Sequence, residues 1–280
     1  MSDQPDQPPE EIESLHNEIK RLRRSLSELT PPLDVLLKRR GFKIYKKEPS
    51  EDLLLPEKQF TGSFYEMLKK YSFRLFLRDV IKHQEFFRPE NVTRYATAAV
   101  TSEYIEYLRD IGLIELVSDG FHLIPGPIKS FGETLEWFVA EIFKKEFATE
   151  AIWGIRSKRP NVGGDYDLIA KVDGSIVYME IKSSPPKQIY QNEISAFFDR
   201  TLDLSPEVSI FFVDTELRMK DKIVPMFDEE YKKRAVEPPE IVRMEKELFQ
   251  IRDKMFIINA KDSIAANIEK VLIWYFRRSH

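Results

Sequence analysis

The chain has 280 residues, 42% of them hydrophobic and 12% aromatic, enough to bury one large core or two modest ones. It carries no cysteine, which excludes disulfides and thiolate metal sites and points to a reducing setting. A net charge of −4 argues against indiscriminate coating of nucleic acid, so any phosphate-binding surface must be a local patch. The polar, acidic start does not read as a signal peptide, and no apolar run approaches the ~20 residues of a membrane span; no membrane partner and a cytoplasmic location are expected.

Residues 1–10 are rich in Pro, Asp and Gln and read as a disordered tail. Residues 11–30 read as an amphipathic helix. Its apolar residues Ile12, Leu15, Ile19, Leu22, Leu26 and Leu29 form a short coiled-coil-like seam that Pro31-Pro32 stops. The seam suits either a homodimer through residues 12–29 or a helix lying on its own domain. Residues 31–60 read as a basic linker. Within it KRRGFKIYKK (38–47) offers Lys38, Arg39, Arg40 and Lys43 to phosphates and Phe42 and Tyr45 for stacking, against the plainer reading of a solvated surface.

Residues 61–126 read as a winged-helix domain. A long helix over 63–82 and a short one near 91–97 precede a third over 101–111, and a hairpin follows across Ser118-Asp119-Gly120. The third helix presents Ser102, Glu103, Glu106, Arg109 and Asp110. That net acidic set suits protein contact or packing better than phosphate contact.

Pro125-Gly126-Pro127 marks the boundary to a domain over 127–280. Its first helix, near 129–147, buries Leu135, Phe138, Val139, Ile142 and Phe143, and offers Glu133, Glu136 and Glu141 as acids. A strand over 151–156 leads into a basic loop with Arg156, Lys158 and Arg159. Next comes DYDLIAKVDGSIVYMEIK (165–182), two strand-like runs around Asp173-Gly174, the dipeptide best suited to a two-residue hairpin. That turn sets Val172 against Ser175, Asp167 across from Glu180, and Asp165 across from Lys182. Directly opposed carboxylates repel unless something positive lies between them, and a hard divalent cation is the natural candidate. A plain half-solvated hairpin with a cross-strand ion pair is the alternative.

Beyond the hairpin, a helix near 187–201 carries Lys187 and Gln191 where they could meet DNA. Residues 208–214 and 255–259 read as buried strands, 216–252 as a charged helical insertion, and 263–277 as a last helix. The expected class is α/β, a mixed sheet flanked by helices.

Asp167 followed by Glu180-Ile181-Lys182 on the neighbouring strand resembles the PD-(D/E)xK nuclease superfamily with its restriction-endonuclease-like fold. Asp167-Leu168-Ile169-Ala170 before the turn looks most like archaeal Holliday-junction-resolvase relatives, although Gly163-Gly164-Asp165-Tyr166 stands where a proline is common. The resemblance implies a metal-dependent deoxyribonuclease using Mg2+ or Mn2+, with DNA as partner and RNA equally compatible. It implies metal ligation by Asp167, Glu180, the Ile181 carbonyl and Glu136, with Lys182 holding the attacking water and helping to remove its proton. Asp165 would orient Lys182 or serve as a spare ligand. Removing Glu180 or Lys182 would then abolish cleavage and spare the fold. The competing reading is a non-cleaving DNA-binding or scaffold protein with a degenerate nuclease domain.

Overall fold

The computed structural model describes residues 9–158, 162, 164–237 and 239–278. The tail expected over 1–10 falls outside them up to residue 8, as does Arg159. From Pro9 the chain is already helical. α1 (Pro9–Leu29) presents Leu15, Ile19, Leu22 and Leu29 to solvent, so these four seam residues do not lie on the rest of the chain.

The expected linker is not one. α2 (Leu33–Arg39) and β1 (Ile44–Lys46) join the main fold, because Leu33, Leu37 and Phe42 are apolar and all three are buried. Arg40 donates to the Leu204 and Ser205 carbonyls and pairs with Glu207, which pins this segment to the far side of the sheet.

The helical unit follows. The long helix expected over 63–82 is broken at Lys69-Lys70 into α3 (Thr61–Leu68) and α4 (Tyr71–Lys82). After α5 (Pro89–Val92), the Thr97 side chain caps α6 (Ala98–Asp110) by accepting from the Val100 N–H. β2 (Ile114–Val117) and β3 (Gly120–Leu123) then pair as a separate antiparallel hairpin. Pro125-Gly126-Pro127 turns the chain but does not separate two cores. Tyr65 packs on Phe138 at 5.5 Å between ring centres, and one apolar cluster runs from α3 and α4 to the sheet.

The remainder supplies α7 (Gly132–Glu146), β4 (Glu150–Ser157), β5 (Tyr166–Val172), β6 (Ser175–Lys182), α8 (Gln191–Leu204) and β7 (Val208–Val213). α9 (Ile223–Arg234), β8 (Ile241–Glu245), β9 (Leu248–Ile251), β10 (Met255–Asn259) and α10 (Ile264–Arg278) complete it. The eight-stranded sheet has the order β1-β4-β5-β6-β7-β10-β9-β8, with β6, β7 and β10 mutually parallel and the other neighbours antiparallel. Residues 216–252, expected to be helical, are so only in α9. β8 and β9 form a hairpin instead, because Leu248 buries on one face of the sheet and Phe249 and Ile251 in the other core, which a strand between two layers allows. α7 and α10 cover one face, and α2, α8 and α9 the other. No helix among the described residues is long and apolar enough to cross a membrane.

Candidate active site

The β5–β6 hairpin closes as its sequence dictates. Asp173 and Gly174 both take positive φ, 48° and 85°, which is the twist a two-residue hairpin turn requires. Val172 pairs with Ser175 and Leu168 with Met179, so the next step in the same register sets Asp167 against Glu180. On the other side of β5, Trp153 pairs with Leu168 and Ile155 with Tyr166, which sets Gly154 against Asp167. A side chain at Gly154 would run into Pro49, and the Glu136 carboxylate lies 3.6 Å from where its Cβ would be. The glycine is required by Pro49, and the α7 acid lies over the strands at the level of Asp167.

Three acids thus lie within electrostatic reach of one another at one end of the central strands. Asp167 accepts from the Ile181 N–H at 2.7 Å. Burial, then the charge of Glu180, lift the Asp167 carboxyl to about 7. Glu136 is pushed well above the usual carboxylate range, first by burial and then by Asp167, Glu133, Glu180 and Asp165. Glu180 is 1% exposed and stays ionised, its carboxyl held low. Burial works against that charge, but Lys182, Arg200 and Tyr178 outweigh it. Lys182 Nζ lies 2.9 Å from Glu180 and 3.2 Å from Glu193, and Arg200 reaches Glu180 at 2.6 Å. Tyr178 donates to the same carboxylate and accepts from Arg200 Nε at 2.9 Å.

Lys182 departs from its expected part in proton removal. Burial opposes its charge, yet Glu180 and Asp167 overcome that opposition and hold the ammonium above its ordinary range. It is a fixed cation at neutral pH. Asp165 also differs from expectation. It is engaged by Arg156 at 2.8 Å, which leaves the orientation of Lys182 to Glu180 and Glu193.

The donor set suits a hard cation in kind, since all its side-chain ligands are carboxylates. Asp167 and Glu136 fit in charge, because the proton affinity forced on both is the imbalance a divalent ion relieves. Glu180 fits less simply, its oxygens being shared among Lys182, Arg200 and Tyr178. Among the described residues no three His, Cys, Asp or Glu side chains converge into a ready-made metal nest.

The proposed phosphate contacts are scattered. Lys38, Arg39, Lys43 and Lys158 are exposed, and Arg40 and Arg156 are held in ion pairs. Phe42 is buried against Tyr166 and cannot stack a base, whereas Tyr45 is exposed. Gln191 is turned to α9, where it donates to the Met226 carbonyl and to Glu230. Lys187 stands exposed just beyond β6. Sequence reasoning missed Tyr178, Glu193 and Arg200. Strand alternation put Tyr178 on the face of Glu180, but no local signal links Arg200, twenty residues on, to that carboxylate.

One consequence concerns stability without metal. Asp167 binds its proton more tightly folded than unfolded, so its contribution is fully present below about pH 4 and is lost as pH rises through about 7. In EDTA, Asp167→Asn should melt at nearly the wild-type temperature at pH 4. It should be more stable at pH 8, on the order of 2–4 kcal/mol, because the amide removes a buried like charge. Scanning calorimetry across that range checks it, and a gap that does not widen with pH refutes it.

No family model matches the chain, and a search of curated proteins finds no significant match. Two solved structures are similar at low identity. Can2 from Sulfobacillus thermosulfidooxidans, in complex with cyclic tetra-adenylate, is 16% identical with a TM-score of 0.49, over 85% of this chain and 59% of that one. Protein VC1899 from Vibrio cholerae is 9% identical with a TM-score of 0.48, over 79% of this chain and 58% of that one. The alignments thus span less than two thirds of either neighbour.

Proposed function

We propose that this chain is a metal-dependent nuclease of the PD-(D/E)xK type that hydrolyses phosphodiester bonds, with DNA as the first substrate to test. The observation that carries this reading is the mutual proximity of Asp167, Glu136 and Glu180 beside the Lys182 ammonium at the end of the central strands. Burial and mutual repulsion make two of those acids, Asp167 and Glu136, hard to ionise without an added positive charge. Asp167 and Glu136 would hold magnesium or manganese, with Glu180 and the Ile181 carbonyl as further ligands. When bound, the ion lowers the pKa of a water and neutralises charge on the phosphate. Lys182, fixed as a cation by Glu180 and Glu193, orients that water and faces a non-bridging oxygen. Arg200 and Tyr178 hold Glu180 in place. The unit from α3 to β3 acts as a winged helix whose acidic third helix meets protein, and the open seam of α1 pairs with a second copy.

A panel of branched, nicked, linear and single-stranded DNA and RNA with manganese tests the activity. Wild-type protein is expected to cut at least one substrate, and EDTA to stop it. A second reading, a strand-binding protein that does not cut, is favoured by the engagement of both Glu180 oxygens with Lys182, Arg200 and Tyr178. Metal titration separates the two. A melting temperature that rises with magnesium in the wild type but not in Asp167→Asn supports the nuclease, whereas no response in either supports the binder.

A further inference from the structure

Between the helical unit and the carboxyl ends of β6 and β7 lies an open cleft of about 1010 Å3. We infer that this cleft binds a single-stranded polynucleotide and leads it to the end of β6, an inference that rests on the nuclease reading and deepens it by naming the form of the substrate.

Position is the first reason. Ser183, Ser184 and Pro185, the residues directly after Lys182, form part of the cleft wall. Asp214 lines it too, and its N–H donates to the Lys182 carbonyl at 2.8 Å. In open α/β sheets, ligands settle outside the carboxyl ends of the strands, and this cleft occupies that place. A strand lying in it passes Ser183, the residue that follows Lys182.

Charge is the second. The chain as a whole is acidic, yet Lys82, Arg94, Lys129 and Lys187 line this cleft from four separate segments, and all four are exposed. Of the acids on its wall, Asp214 is already neutralised by Arg74 and Arg78. Asp79 and Glu216 leave the cations in excess. Cations from both sides of a groove follow a phosphodiester backbone without reading its sequence.

The third reason separates single strands from duplex. Tyr95 is 44% exposed on the cleft, its ring stacked by the Arg94 guanidinium at 5.2 Å. An exposed ring beside a cation offers a platform to an unpaired base, whereas a paired base already has both faces covered.

Fluorescence anisotropy tests this on the full chain in EDTA, with labelled oligo(dU), oligo(U) and a blunt DNA duplex. The strands should be roughly 20 nucleotides, longer than the ~4–16 that such grooves cover. Both single strands are expected to bind more tightly than the duplex if the shared backbone and bases suffice, and a gap between them identifies the preferred sugar. Combining Lys82→Glu, Arg94→Glu, Lys129→Glu and Lys187→Glu should weaken binding at least about tenfold. It should also flatten the slope of log K against log salt by about 0.7 per lost contact. Tyr95→Ala should cost about fivefold or more, and Tyr95→Phe should restore it. All five positions are exposed, so circular dichroism should match the wild type. Affinity within about twofold of wild type in the fourfold variant, or a preference for duplex, overturns the inference.

Cleavage is read separately with manganese. A wild type that binds strands through these residues but cuts none sinks the nuclease reading and leaves the cleft standing. Cleavage of single strands with unchanged affinity in the cleft variants sinks the cleft alone.

Discussion

Lys182→Ala should abolish manganese-dependent cleavage, by a factor of about 100 or more, while the protein keeps its fold. The ammonium is the positive charge on the Glu180 carboxylate nearest to solvent, and a fixed donor aimed at a phosphate oxygen contributes about 2.7–4 kcal/mol to the transition state. Its removal leaves Glu180 paired with Arg200 and Tyr178, so the buried acid is still satisfied. The stability cost should be about 1 kcal/mol, that of one partly exposed pair. Glu180→Ala is a poorer test than the sequence suggested. It strands the Arg200 guanidinium and the Tyr178 hydroxyl in a buried site, at a cost of about 3–5 kcal/mol. Lost activity there would not distinguish chemistry from unfolding. Single-turnover cleavage beside a melting curve decides the matter for Lys182→Ala: a folded variant that cuts at the wild-type rate ends the catalytic assignment.

The largest effect on stability should come from Asp214→Ala. Arg74 on α4 and Asp214 after β7 are 1% and 0% exposed, and the guanidinium meets both carboxylate oxygens at 2.8–3.0 Å. Arg78 pairs with the same acid, and Arg74 also donates to the Leu68 carbonyl. Removing the carboxylate leaves a buried guanidinium without its counter-ion, a loss of about 3–5 kcal/mol. For a chain of this size that lowers the melting temperature by on the order of 10 °C. The double variant Asp214→Ala with Arg74→Met should recover part of the loss, because it removes the orphaned charge as well. A fall of under about 2 °C for the single variant would show that this contact does not hold the helical unit to the sheet.

The sequence was legible where the physical signal is local. Asp173-Gly174 dictates a turn because that turn needs two positive φ values, and the turn alone then fixes the pairing that brings Asp167 to Glu180. The buried stripe of α7 followed from helical spacing, and all five residues expected on it are buried. Sequence reasoning failed where burial depends on partners far along the chain. Residues 38–47 look like a basic linker in isolation. Only the sheet reveals that β1 needs a β4 edge to pair with and that Arg40 needs the end of α8. Residues 241–251 look charged enough for a helix until β10 offers them an edge.

The acids of the candidate site divide in the same way. The identities and pairing of two of them, Asp167 and Glu180, lie in an eighteen-residue stretch, because strand alternation is a property of the backbone. Their ionisation does not. Whether Glu180 is charged, Asp167 half-protonated near neutrality and Lys182 locked as a cation depends on burial and on Arg200, Glu136 and Glu193, which arrive from two helices elsewhere, α7 and α8. Spacing along a strand can place a carboxylate, but only the folded surroundings set the dielectric and the neighbouring charges that decide its proton.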